Sequence, residues 1–546
     1  MLKNYIKYLV LSGLLIPVAV SAQSVDHSKP VLEPYELPGG IIVFTNWYFI
    51  RPGHFDWVDS EGNSVYASSN AKLDENEATF VPLDSPLGIK LFVEPAISEI
   101  PVIESDKPWD KGGIRPVTLL HEEGKFRLWG TCNSEITSSS NASSSGTYVC
   151  YFESSDGINW IKPNLGFVEF NGTSDNNLLK KGSAANIFID PSAPPEERYK
   201  SLSSGKISSD EFEKYRDTRE WSVMATELDA PDVHVMRGSV SPDGFNWTTF
   251  PDPIAFEHFD TQNTGYYDIN LKKYVLYVRT FMLGPRAPGY PYPREKFHQY
   301  MWRRAIGRIE SDGFRQLPLS NIIIEPAPDM NPADQFYTNC YTTIPGAPEL
   351  HLMFPAIYNV NDDETDIAVY SSYNGKTWHK LPGQPVYETQ DFGKPDGGCV
   401  FAHPNLVERP NGDWILPYTG YNVPHKYPRG SYRFEPGMLV WPAGRLAGVQ
   451  AEEKGEFATV AFVVPGETLK INALTQRAGY IKIEVVGMDG YPLKEHTFED
   501  VNPVIGNHYK TVVSWKNSNK IGVKKGIPVF LRFKMKMAKI YGLYFE

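Results

Sequence analysis

From about residue 40 to its end, the chain is filled by short runs in which apolar and polar residues alternate. TYVCYFE (147–153), VHVMRGSV (233–240), MWRRAIGRI (301–309) and DIAVYS (366–371) each carry this period of two, which predicts half-buried β-strands. Each run leads into a related phrase: SSDGINW at 154–160, SPDGFNW at 241–247, the degraded ESDGFRQ at 310–316 and SSYNGKTW at 371–378. Asp-Gly or Asn-Gly between two extended runs predicts a tight hairpin. Its type I′ form holds both central residues at positive φ, which Gly, Asn and Asp tolerate. The recurring Trp is expected to pack beneath the turn.

A second hairpin pattern of strand, polar turn and strand accompanies each phrase. It reads IRPVTLLHEEGKFRLWG, AANIFIDPSAPPEERYKSLS, GYYDINLKKYVLYVRT and FYTNCYTTIPGAPELHLMFPA, with a fifth copy, CVFAHPNLVERPNGDWILPYTG, at 399–420. Two hairpins make a four-stranded sheet, and five such units predict a five-bladed β-propeller. The fifth unit lacks the Trp phrase, and the early segment IIVFTNWYFIRPGHFDWV is expected to supply its closing strand. Past residue 448 the phrase stops and Lys becomes frequent. GETLKINAL, YIKIEVVGMDGYPL, YKTVVSW, PVFLRFKMK and KIYGLYFE predict a C-terminal β-sandwich. The expected organisation is all-β: a leader at 1–22, a propeller at 23–447 and a sandwich at 448–546.

Composition supports this reading. The chain has 546 residues, too many for one ordinary core, with 44 Gly, 44 Pro and 13% aromatic residues. The net charge of −12 argues against a nucleic-acid partner. At the N-terminus, Lys3 and Lys7 precede the apolar run Leu9 to Val20 and the small residues Ser21-Ala22. This predicts a signal peptide cleaved after Ala22, a secreted or periplasmic protein, and no membrane insertion. Four cysteines, Cys132, Cys150, Cys340 and Cys399, match no zinc spacing. The first two flank a Ser-rich loop, and either a cross-strand disulfide or two buried thiols would fit. No phosphate-binding glycine loop and no H-E-x-x-H is present, so no cofactor is expected. A channel-bound calcium ion has no supporting ligand spacing.

The blade phrases, the segment DKPWDKGGIRPVTLL entering the first unit and the terminal GETLKINA together resemble five-bladed propeller glycoside hydrolases of the family 32, 43 and 117 kind. More closely, they resemble exported bacterial proteins of polysaccharide utilisation. The resemblance spans residue 40 to the end. It implies a glycosidase that is exo-acting on oligosaccharides of a complex polysaccharide. The family 32 motif Trp-Met-Asn-Asp-Pro-Asn-Gly is absent, as are its Arg-Asp-Pro and Glu-Cys motifs, so no catalytic residue is carried over by motif.

In such a propeller the inner strand of each blade lines a central funnel, and glycoside cleavage needs two carboxyl groups on opposite sides of the sugar. Candidates at strand entrances are Asp110 (with Asp106 less favoured), Asp334 and Asp396. Glu220 could reach inward from a neighbouring strand, since the second unit offers only Asn186. Asp190 and Asp268 read as turn residues. Arg115, Arg279 and Arg303-Arg304 could bind an acidic or sulfated sugar. His403 and His425 could orient a carboxylate or bind a hydroxyl. Tyr290 or Tyr292, in the long loop 281–300, could stack on a sugar. Two alternatives stand beside the hydrolase. One is a non-catalytic carbohydrate-binding propeller, marked by aromatics and amides without a carboxyl pair. The other is a lyase acting on uronates, marked by Arg with His or Tyr on the funnel floor.

Overall fold

Alternating side chains give each strand one face for a core and one for its neighbours, and the computed structural model shows where those faces meet. It describes residues 33–59, 78–136, 146–180, 186–225, 232–282, 303–383, 385–426, 433–516 and 518–546. The expected leader and both loop tyrosines, Tyr290 and Tyr292, lie outside these residues. Among the described residues no helix is long and apolar enough to cross a membrane.

The repeats form the sheets of a five-bladed β-propeller. The first is Gly113–Glu122, Lys125–Asn133, Thr147–Ser154 and Leu178–Leu179. The second is Ile187–Ile189, Tyr199–Ser208, Asp232–Ser241 and Thr248–Thr249. The third is Thr264–Asp268, Lys273–Phe281, Arg304–Ser311 and Asn321–Ile324. In the fourth, Tyr341–Ile344, Ala347–Met353, Tyr370–Ser372 and His379–Lys380 are continued by the three-stranded set Asp334–Phe336, Ala356–Asn359 and Glu364–Ile367. The fifth contains Cys399–Ala402, Trp414–Tyr421 and Phe434–Trp441, and takes its fourth strand from Ile97–Glu99.

Hydrogen bonds join each sheet to the next. Ile187 N donates to Thr118 Oγ1 (3.0 Å), Tyr274 Oη to Asp190 Oδ2 (2.6 Å) and Thr264 Oγ1 to Asn339 Oδ1 (2.6 Å). Val400 N donates to Thr365 Oγ1 (2.7 Å), and Leu119 N, in the first sheet, to the Pro404 carbonyl beside the fifth (2.7 Å).

The segment 41–58 does not complete the fifth sheet. Ile41–Val43 pairs instead with the C-terminal strand Pro528–Phe545, and His54–Asp59 pairs with Ala78–Leu83. The C-terminal strands form a seven-stranded sheet that also includes Lys90–Val93. One apolar cluster runs through this sheet and into the fourth and fifth blades, with Phe44, Leu352, Trp414, Leu439, Ile483 and Phe533 among its members. The burial of that continuous cluster binds the C-terminal region to the propeller.

The repeated phrase also takes a form that differs from the expected turn. Gly157, Gly244 and Gly375 lie at φ of 72°, 80° and 67°, whereas Asp156, Asp243 and Asn374 do not lie at positive φ. The turn is held by side chains instead. Ser241 Oγ accepts from Asp243 N and Gly244 N, and Asp243 Oδ1 accepts from Phe245 N and Asn246 N. The same pattern recurs around Ser154 and Ser372. Trp247 and Trp378 donate to the carbonyls of Gly244 and Gly375 at 3.0 Å.

Burial opposes ionisation of Asp243, but hydrogen bonds from Asn246 and Phe245 outweigh it and hold the carboxyl below its ordinary range. A depressed folded pKa adds stability above the ordinary carboxylate range, and that stability is lost as pH falls through the folded value. Asp243→Ala should therefore cost about 1 kcal/mol near neutrality. Urea denaturation as a function of pH should show the variant and the wild type converging in acid.

Candidate active site

Residues of all five sheets, or of the segments leading into them, converge on a cavity of about 330 Å³. The first sheet contributes Arg115, Val117 and Thr131, and the second Asn186 and Ser204. Asp260, Thr261 and Gln262 enter from the segment before the third sheet. The fourth supplies Tyr337 and Thr338, and the fifth Phe401, His403, Tyr421 and His425. The walls differ in chemistry. Aromatic rings crowd the fourth and fifth sheets, with Tyr337 5.6 Å from Phe401 and Phe401 5.8 Å from Tyr421 between centroids. Charged and amide groups hold the opposite side. A cavity with one apolar wall and one polar wall suits a sugar ring, which has an apolar face and a rim of hydroxyls.

Gln262 is fixed at the centre. Its amide donates to the Ala402 carbonyl (2.9 Å) and accepts from Cys340 N (2.6 Å), tying the third, fourth and fifth sheets together. Asp260 is the one carboxylate among the described lining residues. It is ion-paired to the buried Arg279 and lies 3.1 Å from His258 Nε2. Arg279 and Arg304 stand over the Tyr337 ring, 5.5 and 5.3 Å from its centroid, and Lys426 Nζ lies 5.9 Å from it. Burial, with nearby Arg304 adding to it, lowers the Arg279 pKa to about 10, so it stays charged near neutrality. Arg115 is exposed to the cavity. Its Nε donates to Thr131 Oγ1 (3.2 Å), and it has no carboxylate partner among the described residues.

Both lining histidines are neutral at working pH. Burial first, then Arg115, lowers His403 to about 3, while its Nε2 lies 2.8 Å from Thr419 Oγ1. Burial first, then Lys426, Arg304 and Arg279, lowers His425 to about 3. His425 Nε2 sits 2.7 Å from Tyr337 Oη. Among the described residues no group of three or more His, Cys, Asp or Glu could hold a metal ion. All four cysteines are buried free thiols.

Of the residues singled out from the sequence, Arg115, Asn186, His403 and His425 line the cavity, and Arg279 and Arg304 stand behind Tyr337. Arg304 also donates to Gln335 Oε1 at 2.6 Å. The four expected catalytic carboxylates are not among the lining residues. Asp110 is wholly buried and held by Lys162 Nζ (2.5 Å) and Lys107 N (2.8 Å); burial raises its pKa. Asp396 is buried under the Tyr387 and Tyr418 hydroxyls at 2.6 and 2.8 Å. Asp334 accepts from Asn359 Nδ2 (2.9 Å), and the exposed Glu220 accepts from Leu319 N (3.2 Å). Asp190 and Asp268 cap their turns by accepting from Ser192 N and from Asn270 N.

Asp260, Gln262, Tyr337, Phe401 and Tyr421 were missed by the sequence reading. For Asp260 a signal existed. FEHFDTQN precedes the inner strand of the third sheet much as PWDKGG precedes that of the first.

Asp334 belongs to a negative group beside the cavity strands. There Asp366 is raised to about 6, by burial first and then by Glu388, with Glu364 and Asp334 adding to it. A folded pKa above the unfolded one means that stability falls as pH rises from the ordinary aspartate value through about 6. Asp366→Asn should therefore raise the thermal midpoint at about pH 7.5 and leave it nearly unchanged below about pH 4, as scanning calorimetry would read.

No family model matches the chain, and neither does any curated protein sequence. Among solved structures it is similar to a glycosyl hydrolase from Bacteroides ovatus, with 11% identity over 65% of this chain and 95% of that one and a TM-score of 0.38. It is also similar to a thermostable family 43 glycoside hydrolase, with 13% identity over 64% and 90% and a TM-score of 0.35. A family 32 β-fructofuranosidase of Bombyx mori shares 10% identity over 79% and 92%, with a TM-score of 0.33.

Proposed function

We propose that the protein is a glycan-active enzyme that takes an acidic sugar into this cavity and cleaves its glycosidic bond. The observation that carries the reading is Arg115, a cavity-exposed guanidinium with no carboxylate partner among the described residues. It stands in a site whose single described carboxylate, Asp260, is already neutralised by Arg279. A cation left unpaired in a chain of net charge −12 favours a carboxylate or sulfate on the ligand, which a guanidinium can hold through two hydrogen bonds. The aromatic wall of Tyr337, Phe401 and Tyr421 would take the apolar face of the ring.

Hydrolysis, implied by the resemblance to propeller glycosidases, requires a second carboxyl group across the sugar from Asp260. The described lining supplies none. Recognition of an acidic glycan is accordingly supported more directly than a two-carboxylate mechanism. Export of the protein to the compartment where such glycans are met, through the N-terminal leader, is part of the same proposal.

Calorimetric titration of the mature protein with uronate oligosaccharides and with their carboxyl-reduced counterparts tests the reading. Binding of the acidic series alone is expected. Equal affinity for both series would overturn it.

A further inference from the structure

We infer that Tyr337, backed by His425, is the proton-transferring residue of a β-elimination on a uronate, with Arg115 neutralising the sugar carboxylate. The inference rests on the acidic-sugar reading above and adds to it the class of reaction.

Three features of the cavity converge on this chemistry. First, Tyr337 Oη and His425 Nε2 share a 2.7 Å hydrogen bond, and both side chains line the cavity. Second, the described lining holds no pair of carboxyl groups, because Asp260 stands alone and is held by Arg279 and His258. Third, cations surround the pair: Arg279, Arg304 and Lys426 over the Tyr337 ring, with Arg115 facing the same space. A hydrolase needs carboxyl groups at the bond being broken. An elimination needs a neutralised carboxylate next to the proton being removed, together with one group that removes it.

The step balances without a cofactor. The guanidinium of Arg115 offsets the charge of the sugar carboxylate, which makes the adjacent C5–H more acidic. Tyr337 Oη accepts the C5 proton as its own hydroxyl proton passes to His425 Nε2. The C5–H electron pair becomes the C4–C5 double bond, and the C4–O4 bond breaks with its electrons on O4. The departing oxygen takes a proton from Tyr337 Oη, which His425 replaces. The products are an unsaturated sugar and a free hydroxyl, and the enzyme returns to its starting state.

His425 acts through Tyr337 and is a positioning residue. Its neutral form, caused by burial first and then by the surrounding cations, leaves Nε2 able to accept. A bound carboxylate offsets those same cations, so that acidic substrates improve the proton acceptor and neutral ones do not.

The test uses the full mature chain and uronate oligosaccharides, following both new reducing ends and the ultraviolet absorbance of the conjugated double bond. Both signals are expected to rise together. Tyr337→Phe should lower the rate about 10²- to 10⁴-fold, with substrate affinity within about twofold of the wild type. His425→Gly should lower kcat more than it raises KM, and added imidazole should restore part of the rate, which a purely structural role would not allow. Reducing ends without the double bond would overturn the elimination while leaving the acidic-sugar reading intact. Tight binding without turnover would do the same, as would full activity in Tyr337→Phe. Failure to prefer the uronates over their carboxyl-reduced forms would overturn both.

Discussion

Arg115→Gln is expected to weaken the binding of a uronate oligosaccharide by about ten- to a hundredfold and to leave the fold intact. A hydrogen bond to a charged group contributes about 1.5–3 kcal/mol, and each 1.4 kcal/mol is a factor of ten in affinity. The open position of Arg115 in the cavity admits some solvent screening, which sets the lower end of that range. The structural cost is small, because its only side-chain hydrogen bond among the described residues is the 3.2 Å contact with Thr131. Arg115→Lys should fall between the two, since an ammonium keeps the charge but loses the planar fork. His403 does not confound the result. Burial is the larger cause of its lowered pKa and Arg115 the smaller, so it stays neutral in the variant. Titration calorimetry at two salt concentrations would read both effects. An unchanged affinity in Arg115→Gln would remove the basis of the acidic-sugar reading.

The blades were legible in the sequence because the information that makes them is local. Alternation within seven or eight residues specifies a half-buried strand, and Ser-x-Asp-Gly specifies its turn. The turn's detailed form was not legible, because Ser and Asp oxygens do what a second positive φ would otherwise have done. The strand completing the fifth sheet was hidden for a different reason. Ile97–Glu99 is three residues long, and its pairing with Met438 to Val440 is decided across the whole chain.

The carboxylates at strand entrances illustrate the same limit. Nothing near Asp110 announces Lys162, and nothing near Asp396 announces that two tyrosine hydroxyls cover it. The Tyr337–His425 pair joins residues 88 positions apart, which no local pattern reports. The arginines were easier to find. Their reach lets them arrive at the cavity from several strand positions, so an approximate placement sufficed for Arg115.

Arg409→Met should be the most damaging single change outside the cavity, lowering stability by about 3 kcal/mol. Its guanidinium is almost fully buried. It donates to the Gly157 carbonyl through Nε (3.1 Å) and Nη2 (2.9 Å), and to Glu99 through Nη1 (3.1 Å) and Nη2 (2.6 Å). One side chain from the fifth sheet thus holds the turn of the first sheet and the short strand that completes the fifth. Corresponding contacts recur around the propeller. Arg127 donates to the Asp243 carbonyl and Trp129 to that of Gly244, while Arg308 and Tyr277 both donate to that of Gly375.

The repeated turn therefore presents its carbonyls to the sheet before it, and the donor supplied there couples blade to blade. Removing Arg409 leaves the buried Gly157 carbonyl without its donors, and that unsatisfied group dominates the cost. Glu99 is 42% exposed by side chain and can turn to water, so Glu99→Gln should cost no more than about 1 kcal/mol. Chemical denaturation of the two variants separates these contributions. Equal losses would place the energy in the ion pair. A loss in Arg409→Met about three times that in Glu99→Gln would place it in the turn carbonyl, and so in the junction between the fifth and first sheets.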